Sequence, residues 1–394
     1  MPALRAGRLT PISRVASVLH RTEAQQHKVE TMQYKLGATA LFCALCSLPA
    51  AAQTSVTLYG VVDAGIEFAN HQTGGDHSVV RMTSGNVAGS RWGLRGTEDL
   101  GGGLKAVLVL ESGYDTDTGK SAQGGRLFGR MAYVGLQGKW GSLLLGRQQT
   151  ELFDLIGSYD PMLLAPKYSI FTQDLAFVSR ADNTVKYTGT FGGLVASAMY
   201  SFGAESGTAN GSEVPGEPKL GREYGFRLSY GSGPFSVGAA YDEVNTGTVT
   251  VNPDAKTRRA VLTGTYDFSP VKVFAGYRWA KAYDGALLAG AIPGQANQAS
   301  NLWWTGVTWQ AGPAVSLSAA AYYQDFRNTG NDPWLFVGMA KYAFSKRTDA
   351  YLSVGYTKNK GSSNLGLSTG GSGFGTTAAG TNQFGTTIGL RHIF

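Results

Sequence analysis

Between residues 53 and 394 the chain alternates two kinds of connection around stretches of period-two hydrophobicity, and that alternation constrains its fold more than any other feature. Seven connections are short and carry turn chemistry. They centre on Leu100-Gly101-Gly102-Gly103, Gly138-Lys139-Trp140-Gly141, Gly192-Gly193, Gly231-Ser232-Gly233-Pro234, Ser269-Pro270, Gly312-Pro313 and Ser345-Lys346-Arg347-Thr348. Eight longer, polar or glycine-rich connections fall near residues 70–88, 115–126, 149–181, 203–222, 244–257, 282–299, 326–333 and 359–381. Seven turns and eight loops join sixteen strands, an even number that leaves both ends at one rim. Short turns on one rim and long loops on the other predict an all-β, 16-stranded antiparallel transmembrane β-barrel, whose strands need about 9–11 residues to cross a bilayer with tilt.

The alternation also sorts side chains by face. Along Val56 to Phe68 the even positions are apolar or glycine, whereas the odd ones carry Thr57, Asp63 and Glu67. Tyr224, Phe226, Leu228 and Tyr230 alternate with Glu223, Arg227 and Ser229 in the same way. Trp92 and Leu94 read as lipid-facing, which turns Arg91 and Arg95 into the lumen; Met131 and Tyr133 read as lipid-facing and turn Arg130 inward. A lipid-facing arginine at mid-bilayer would cost roughly 2–4 kcal/mol, which favours this phase. Tyr200, Phe202, Tyr266, Phe268, Tyr342 and Phe344 flank the strands as interfacial girdles do.

Composition agrees with this reading. The chain has 55 glycines, 19 tyrosines, 18 phenylalanines and only 15% charged residues, a mixture that favours strands and turns over amphipathic helices. Lys35, the apolar run Leu36 to Leu48, and Pro49-Ala50-Ala51-Ala52-Gln53 follow the basic, greasy and small-residue order of a secretory signal peptide, with cleavage expected after Ala52. Residues 32–52 are the expected signal, residues 1–31 an upstream extension or misassigned start, and 53–394 the barrel. Without six basic and two acidic residues in the first 52, the totals of 34 and 27 become 28 and 25, a balance of +3 that offers no footprint for nucleic acid. Both cysteines, Cys43 and Cys46, lie in the leader, so no thiolate chemistry or disulfide is expected in the mature chain. His71, Asp76 and His77 share one loop, where solvated side chains are the simpler reading than a metal site. No cofactor or metal is expected.

Several stretches carry a resemblance over essentially all of residues 53–394. These are Ser55 to Ile66, Ser90-Arg91-Trp92-Gly93-Leu94-Arg95-Gly96-Thr97-Glu98-Asp99-Leu100-Gly101, Arg130-Met131-Ala132-Tyr133-Val134-Gly135-Leu136, Leu145-Gly146-Arg147-Gln148 and Gly389 to Phe394. With them the chain resembles the trimeric general-diffusion porins of Gram-negative bacteria, β-proteobacterial type. The resemblance implies an outer-membrane homotrimer among lipid and lipopolysaccharide, with short periplasmic turns, long external loops and a pore narrowed by an inward-folded third loop. It places Arg91, Arg130 and Arg180 on a basic wall ladder, with Arg147 as a further wall candidate, and Asp160 as a loop carboxylate opposing them. Glu151, Asp154 and Lys167 are the other constriction-loop candidates. Phe394 looks like the signal such barrels present to the barrel-assembly machinery.

Rings or clusters of charge bias which ion enters a pore, and no covalent step is needed. After Asp160 the chain runs Pro161-Met162-Leu163-Leu164-Ala165-Pro166-Lys167, so Lys167 sits near the place of a second acidic residue in cation-preferring relatives. The expectation is a passive channel for small hydrophilic solutes and ions, weakly anion-selective. The alternatives are a substrate-specific channel, in which Tyr59 and Tyr351 would stack a solute, and, less favoured, a barrel enzyme or an adhesin.

Overall fold

Period-two segments become strands because alternate side chains project to opposite faces, and the sheet they form here has no free edge. The computed structural model describes residues 55–74, 76–203, 213–291, 298–367 and 373–394. The leader and the upstream extension read in the sequence lie outside the described residues. Among the described residues the strands are β1 (Ser55–Gln72), β2 (His77–Ser84), β3 (Arg91–Gly101), β4 (Leu104–Gly113), β5 (Met131–Gly138), β6 (Gly141–Gln149), β7 (Arg180–Phe191), β8 (Leu194–Ser201) and β9 (Glu223–Ser232). They continue as β10 (Phe235–Asn245), β11 (Lys256–Asp267), β12 (Val271–Tyr283), β13 (Ala299–Gln310), β14 (Val315–Phe326), β15 (Trp334–Ala343), β16 (Thr348–Lys358) and β17 (Gln383–Ile393). A short helix, α1 (Glu151–Ile156), opens the third long loop.

All neighbours pair antiparallel, and β17 returns to β1 in register from Val61↔Ile393 to Ala69↔Gly385, which closes the barrel. Both β2 and β3 pair with β1, so these two segments share one strand position and the sheet has sixteen positions. Instead of one loop over 70–88, the structure continues β1 to Gln72, forms the strand β2 from His77, and breaks at residues 85–90. Asp63 of β1 organises that break: its carboxylate accepts from the Val87 and Ala88 amides at 2.8 and 2.7 Å and from the Tyr351 hydroxyl at 2.6 Å.

The outer face is apolar. Val56, Leu58, Ile66, Val134, Leu145, Phe226, Leu228, Leu262, Ile388 and Leu390 are exposed there, while Asp63, Glu67 and Glu111 are buried on the inner face. Tyr200–Phe202, Tyr266–Phe268 and Tyr342–Phe344 form exposed ring pairs near the strand ends, with centroids 5.0, 4.5 and 5.3 Å apart. In one respect the facing differs from expectation. Val134 and Leu136 point outward, so Met131 and Tyr133 point inward, and Arg130 reaches the inner side because it precedes β5 and lies outside its alternation.

The main apolar core lies inside the barrel, between the third loop and the inner wall of β10–β16. Leu152, Leu155, Ile156, Tyr159, Met162, Tyr168, Ile170 and Phe177 of the loop pack with Ala240, Val261, Leu302, Trp304, Tyr322, Leu335 and Val337. Burying each such aliphatic or aromatic side chain contributes roughly 1.5–3 kcal/mol. Inward glycines make the bed on which the loop lies. A Cβ at Gly355 would stand 2.6 Å from Tyr168 Cδ1 and 2.7 Å from Leu367 Cδ2, and one at Gly306 would meet Pro161.

Gly355→Val should therefore lift Tyr168 from the wall while leaving β16 intact, at a cost of about 1–3 kcal/mol to loop packing. The expected result is a barrel that still shifts on heating in gel electrophoresis but is newly cut by protease within residues 150–179; an uncut loop would refute the packing role assigned to this glycine.

Candidate functional site: the channel beside the third loop

The third loop is pinned by caps, packing and its own acids. Thr150 Oγ1 accepts from the Phe153 amide at the start of α1, whose Leu152, Leu155 and Ile156 are buried. Trp304 Nε1 donates to the Tyr159 carbonyl at 3.1 Å, and the Tyr159 and Ser236 hydroxyls bond at 2.6 Å. Glu151 accepts from Ser197 Oγ at 2.6 Å and faces Arg227 Nε at 3.2 Å; Asp154 meets Lys186 Nζ at 2.5 Å. Asp174 holds Arg259 at 2.9 Å and Arg278 at 3.3 Å. Burial alone would raise its carboxyl, but the two guanidiniums outweigh burial and hold it below the ordinary carboxylate range.

Asp160 is fully buried. Its carboxylate accepts from the Tyr322 hydroxyl at 2.6 Å and from the Leu164 amide at 2.8 Å. Leu163 and Leu164 both adopt the left-handed region, with φ of 54° and 53°, so this carboxylate fixes a strained turn. Asp160, expected to oppose the ladder, instead bonds to Tyr322 of the inner wall, and the loop candidates Glu151 and Asp154 likewise pair with Ser197 and Lys186 of that wall. The cause is desolvation, since a loop packed on a wall bearing Lys186, Arg227 and Tyr322 satisfies its carboxylates there.

Between the loop and the opposite wall lies a channel space of about 920 Å³. Eight basic residues line it, Arg81, Arg91, Lys120, Arg130, Lys167, Arg180, Lys341 and Arg391, against two acids, Asp115 and Asp117. Buried carboxylates hold several of these cations in place. Glu111 takes Arg130 Nε at 2.6 Å and Arg91 Nε at 3.6 Å, and the Tyr59 hydroxyl donates to it at 3.0 Å. Glu67 takes Arg81 Nε at 2.7 Å and Lys167 Nζ at 3.1 Å. Burial pulls the Lys167 ammonium below its ordinary value, with Glu67 opposing. Asp349 pairs with Arg391 at 2.6 Å. The loop contributes an apolar face of Phe153, Met162, Leu163, Leu164, Phe171 and Val178.

Of the wall candidates, Arg91, Arg130 and Arg180 come together on this space, as does Lys167 from the loop. Arg147 does not; it is buried, donating to the Gly129 carbonyl at 2.7 Å and to Asp182 at 2.8 Å. Phe394 continues the closing seam, exchanging backbone hydrogen bonds with Gly60 at 3.0 and 3.1 Å. Tyr351 is buried on Asp63, and Tyr59 lies under Arg95. Sequence reasoning missed Arg81, Lys120, Lys341 and Arg391, of which all but the loop residue Lys120 carried a signal in their inward phase in β2, β15 and β17, and it missed the carboxylates behind them.

The family profile described as Gram-negative porin matches residues 37–362. An outer membrane porin of Bordetella pertussis is 34% identical over 79% of this chain and 90% of its own length. Outer membrane porin protein 32 of Delftia acidovorans is 32% identical over 88% of this chain and 95% of its own. Among solved structures, the anion-selective porin from Comamonas acidovorans superposes with a TM-score of 0.74 at 28% identity, covering 86% of this chain and all of that one.

Burial pushes the Asp160 carboxyl up to about 6 from an ordinary 3.8. The folded channel therefore holds this proton more tightly than the unfolded chain. The group's stabilising contribution is full below about pH 4 and is lost as pH rises through about 6. Acidification from about pH 7.5 to about 5 should leave the loop at least as resistant to protease, and Asp160→Asn should reduce the difference between the two. Asp160→Ala, which strands the Tyr322 hydroxyl and the Leu164 amide, should cost roughly 1–3 kcal/mol and expose the loop to cleavage.

Proposed function

The chain belongs to the Gram-negative porin family and forms a channel for passive diffusion across the outer membrane, and we propose that this channel favours anions over cations. The observation that carries the proposal is the lining: eight basic side chains against two acidic ones, with the loop's carboxylates bonded to the wall behind it. Clustered charge of one sign in a narrow aqueous gap raises the local concentration of counter-ions and biases entry without binding them tightly. The anion-selective porin from Comamonas acidovorans, to which this chain is similar, supports the same reading.

In this proposal Arg91, Arg130 and Arg180 form the wall of the constriction and residues 150–179 its opposite side. The loop contributes position and a single cation, Lys167, rather than an opposing carboxylate. Three barrels associate in outer-membrane lipid and lipopolysaccharide, Phe394 serves as the signal read by the assembly machinery, and the leader is removed after Ala52. N-terminal sequencing of the mature protein should then begin at Gln53; a start elsewhere would remove that part of the reading.

The decisive measurement is the reversal potential of the refolded channel in a potassium chloride gradient. The sign should report chloride preference, and the preference should weaken as ionic strength rises because the Debye length shrinks from about 10 Å at 0.1 M to about 3 Å at 1 M. Replacing Arg91, Arg130 and Arg180 together by glutamine should move the permeability ratio toward unity by several-fold. Cation preference in the unmodified protein would overturn the proposal.

A further inference from the structure

Apolar side chains in an aqueous passage are the feature that passive ion conduction leaves unused. Leu163 is 57% exposed, and with Leu164, Phe153 and Phe171 it lines the same space as Arg91, Arg130 and Arg180. Ligand sites join apolar side chains to a few placed polar or charged groups, and this space carries both. The rigidity is explicit here: two consecutive leucines are held at positive φ, and Asp160 fixes the turn through the Leu164 amide. A small hydrated anion needs none of this.

We infer that the channel contains a binding site for carboxylates with an apolar body, such as an aromatic monocarboxylate. The carboxylate lies against the guanidiniums of the wall, and the apolar body lies against Leu163 and its neighbours on the loop. Charge complementarity assigns the sign of the ligand, because Lys167 is the loop's charged residue on this space and the loop's acids face the other way. Guanidinium suits the head group, since its planar fork matches a carboxylate with two parallel hydrogen bonds. Glu111 holds Arg91 and Arg130 in fixed positions, and the Arg180 guanidinium sits 5.1 Å from the centre of the Phe153 ring, joining the cationic and apolar sides of the slit. A hydrophilic anion of equal charge engages one side, whereas an aromatic acid engages both.

The inference rests on the anion-preferring reading, and the two fail differently. Chloride current through the refolded full barrel is measured in planar bilayers while benzoate, acetate, benzylamine or benzyl alcohol is added. Benzoate should half-block at about a tenfold lower concentration than acetate, reflecting partial burial of the ring. Benzylamine and benzyl alcohol, which share the ring but lack the negative charge, should not block at that concentration. Leu163→Asn keeps a residue type at ease in the left-handed region and should bring the ratio of benzoate to acetate block toward unity. If that variant fails to fold, as judged by its heat-shifted band, the comparison in the unmodified protein decides alone. Equal block by benzoate and acetate in a chloride-preferring channel overturns the inference and leaves the porin reading standing; block by benzyl alcohol equal to that by benzoate also overturns it. Cation preference overturns both.

Discussion

Closure of the sheet between β17 and β1 is the constraint on which everything else rests. In hydrocarbon an unpaired backbone amide or carbonyl has no water to turn to, so a spanning sheet must return on itself. The register from Val61↔Ile393 to Ala69↔Gly385 does this, and the Gly60–Phe394 backbone pair extends the seam to the last residue. Once closed, the barrel has an inside and an outside, and period-two alternation acquires its meaning. Ile388 and Leu390 can be exposed because they face lipid, while Asp63 and Glu67 can be buried because they face inward and find partners there.

The two halves of the inner wall then take different roles. From β10 to β16 the inward side chains include Ala240, Val261, Leu302, Trp304, Tyr322, Leu335 and Val337, a greasy surface that the third loop covers. From β1 to β7, with β17, the inward side chains include Asp63, Glu67, Arg91, Glu111, Asp182 and Arg391, and this side lines the channel. The loop is therefore a core element as much as a connection. Its packing against one wall leaves the channel against the other, and its ionised groups follow the same division, with Glu151, Asp154, Asp160 and Asp174 taken up by Ser197, Lys186, Tyr322 and Arg259.

The barrel was legible in the sequence because turns and strands announce themselves locally. Glycine or proline marks six of the seven short turns, and alternation is readable within a single strand. The first long connection was misread because His77–Ser84 offers few alternating positions between two polar, glycine-bearing stretches, and nothing local shows that a single strand position is broken at residues 85–90. Arg130 faces inward although the alternation of β5 would turn it outward, since an irregular segment before Met131 resets the phase. The direction of the loop's acids was beyond a one-dimensional reading, although a trace was present. Lys186, Arg227, Arg259 and Arg278 are inward cations, and the third loop brings carboxylates to all four.

The sign of the channel does not come from isolated cations, which would be costly where water is scarce. It comes from sharing. Arg91 and Arg130 divide Glu111, and Arg81 and Lys167 divide Glu67, so each buried carboxylate leaves one positive charge in excess while holding two cations in fixed geometry. Such a group of three is oriented before any solute arrives, and it need not reorganise as one passes. An acidic loop face would have cancelled the excess across the gap. Because apolar packing turns those acids to the far side of the loop, the same interaction that narrows the passage also leaves its charge uncancelled.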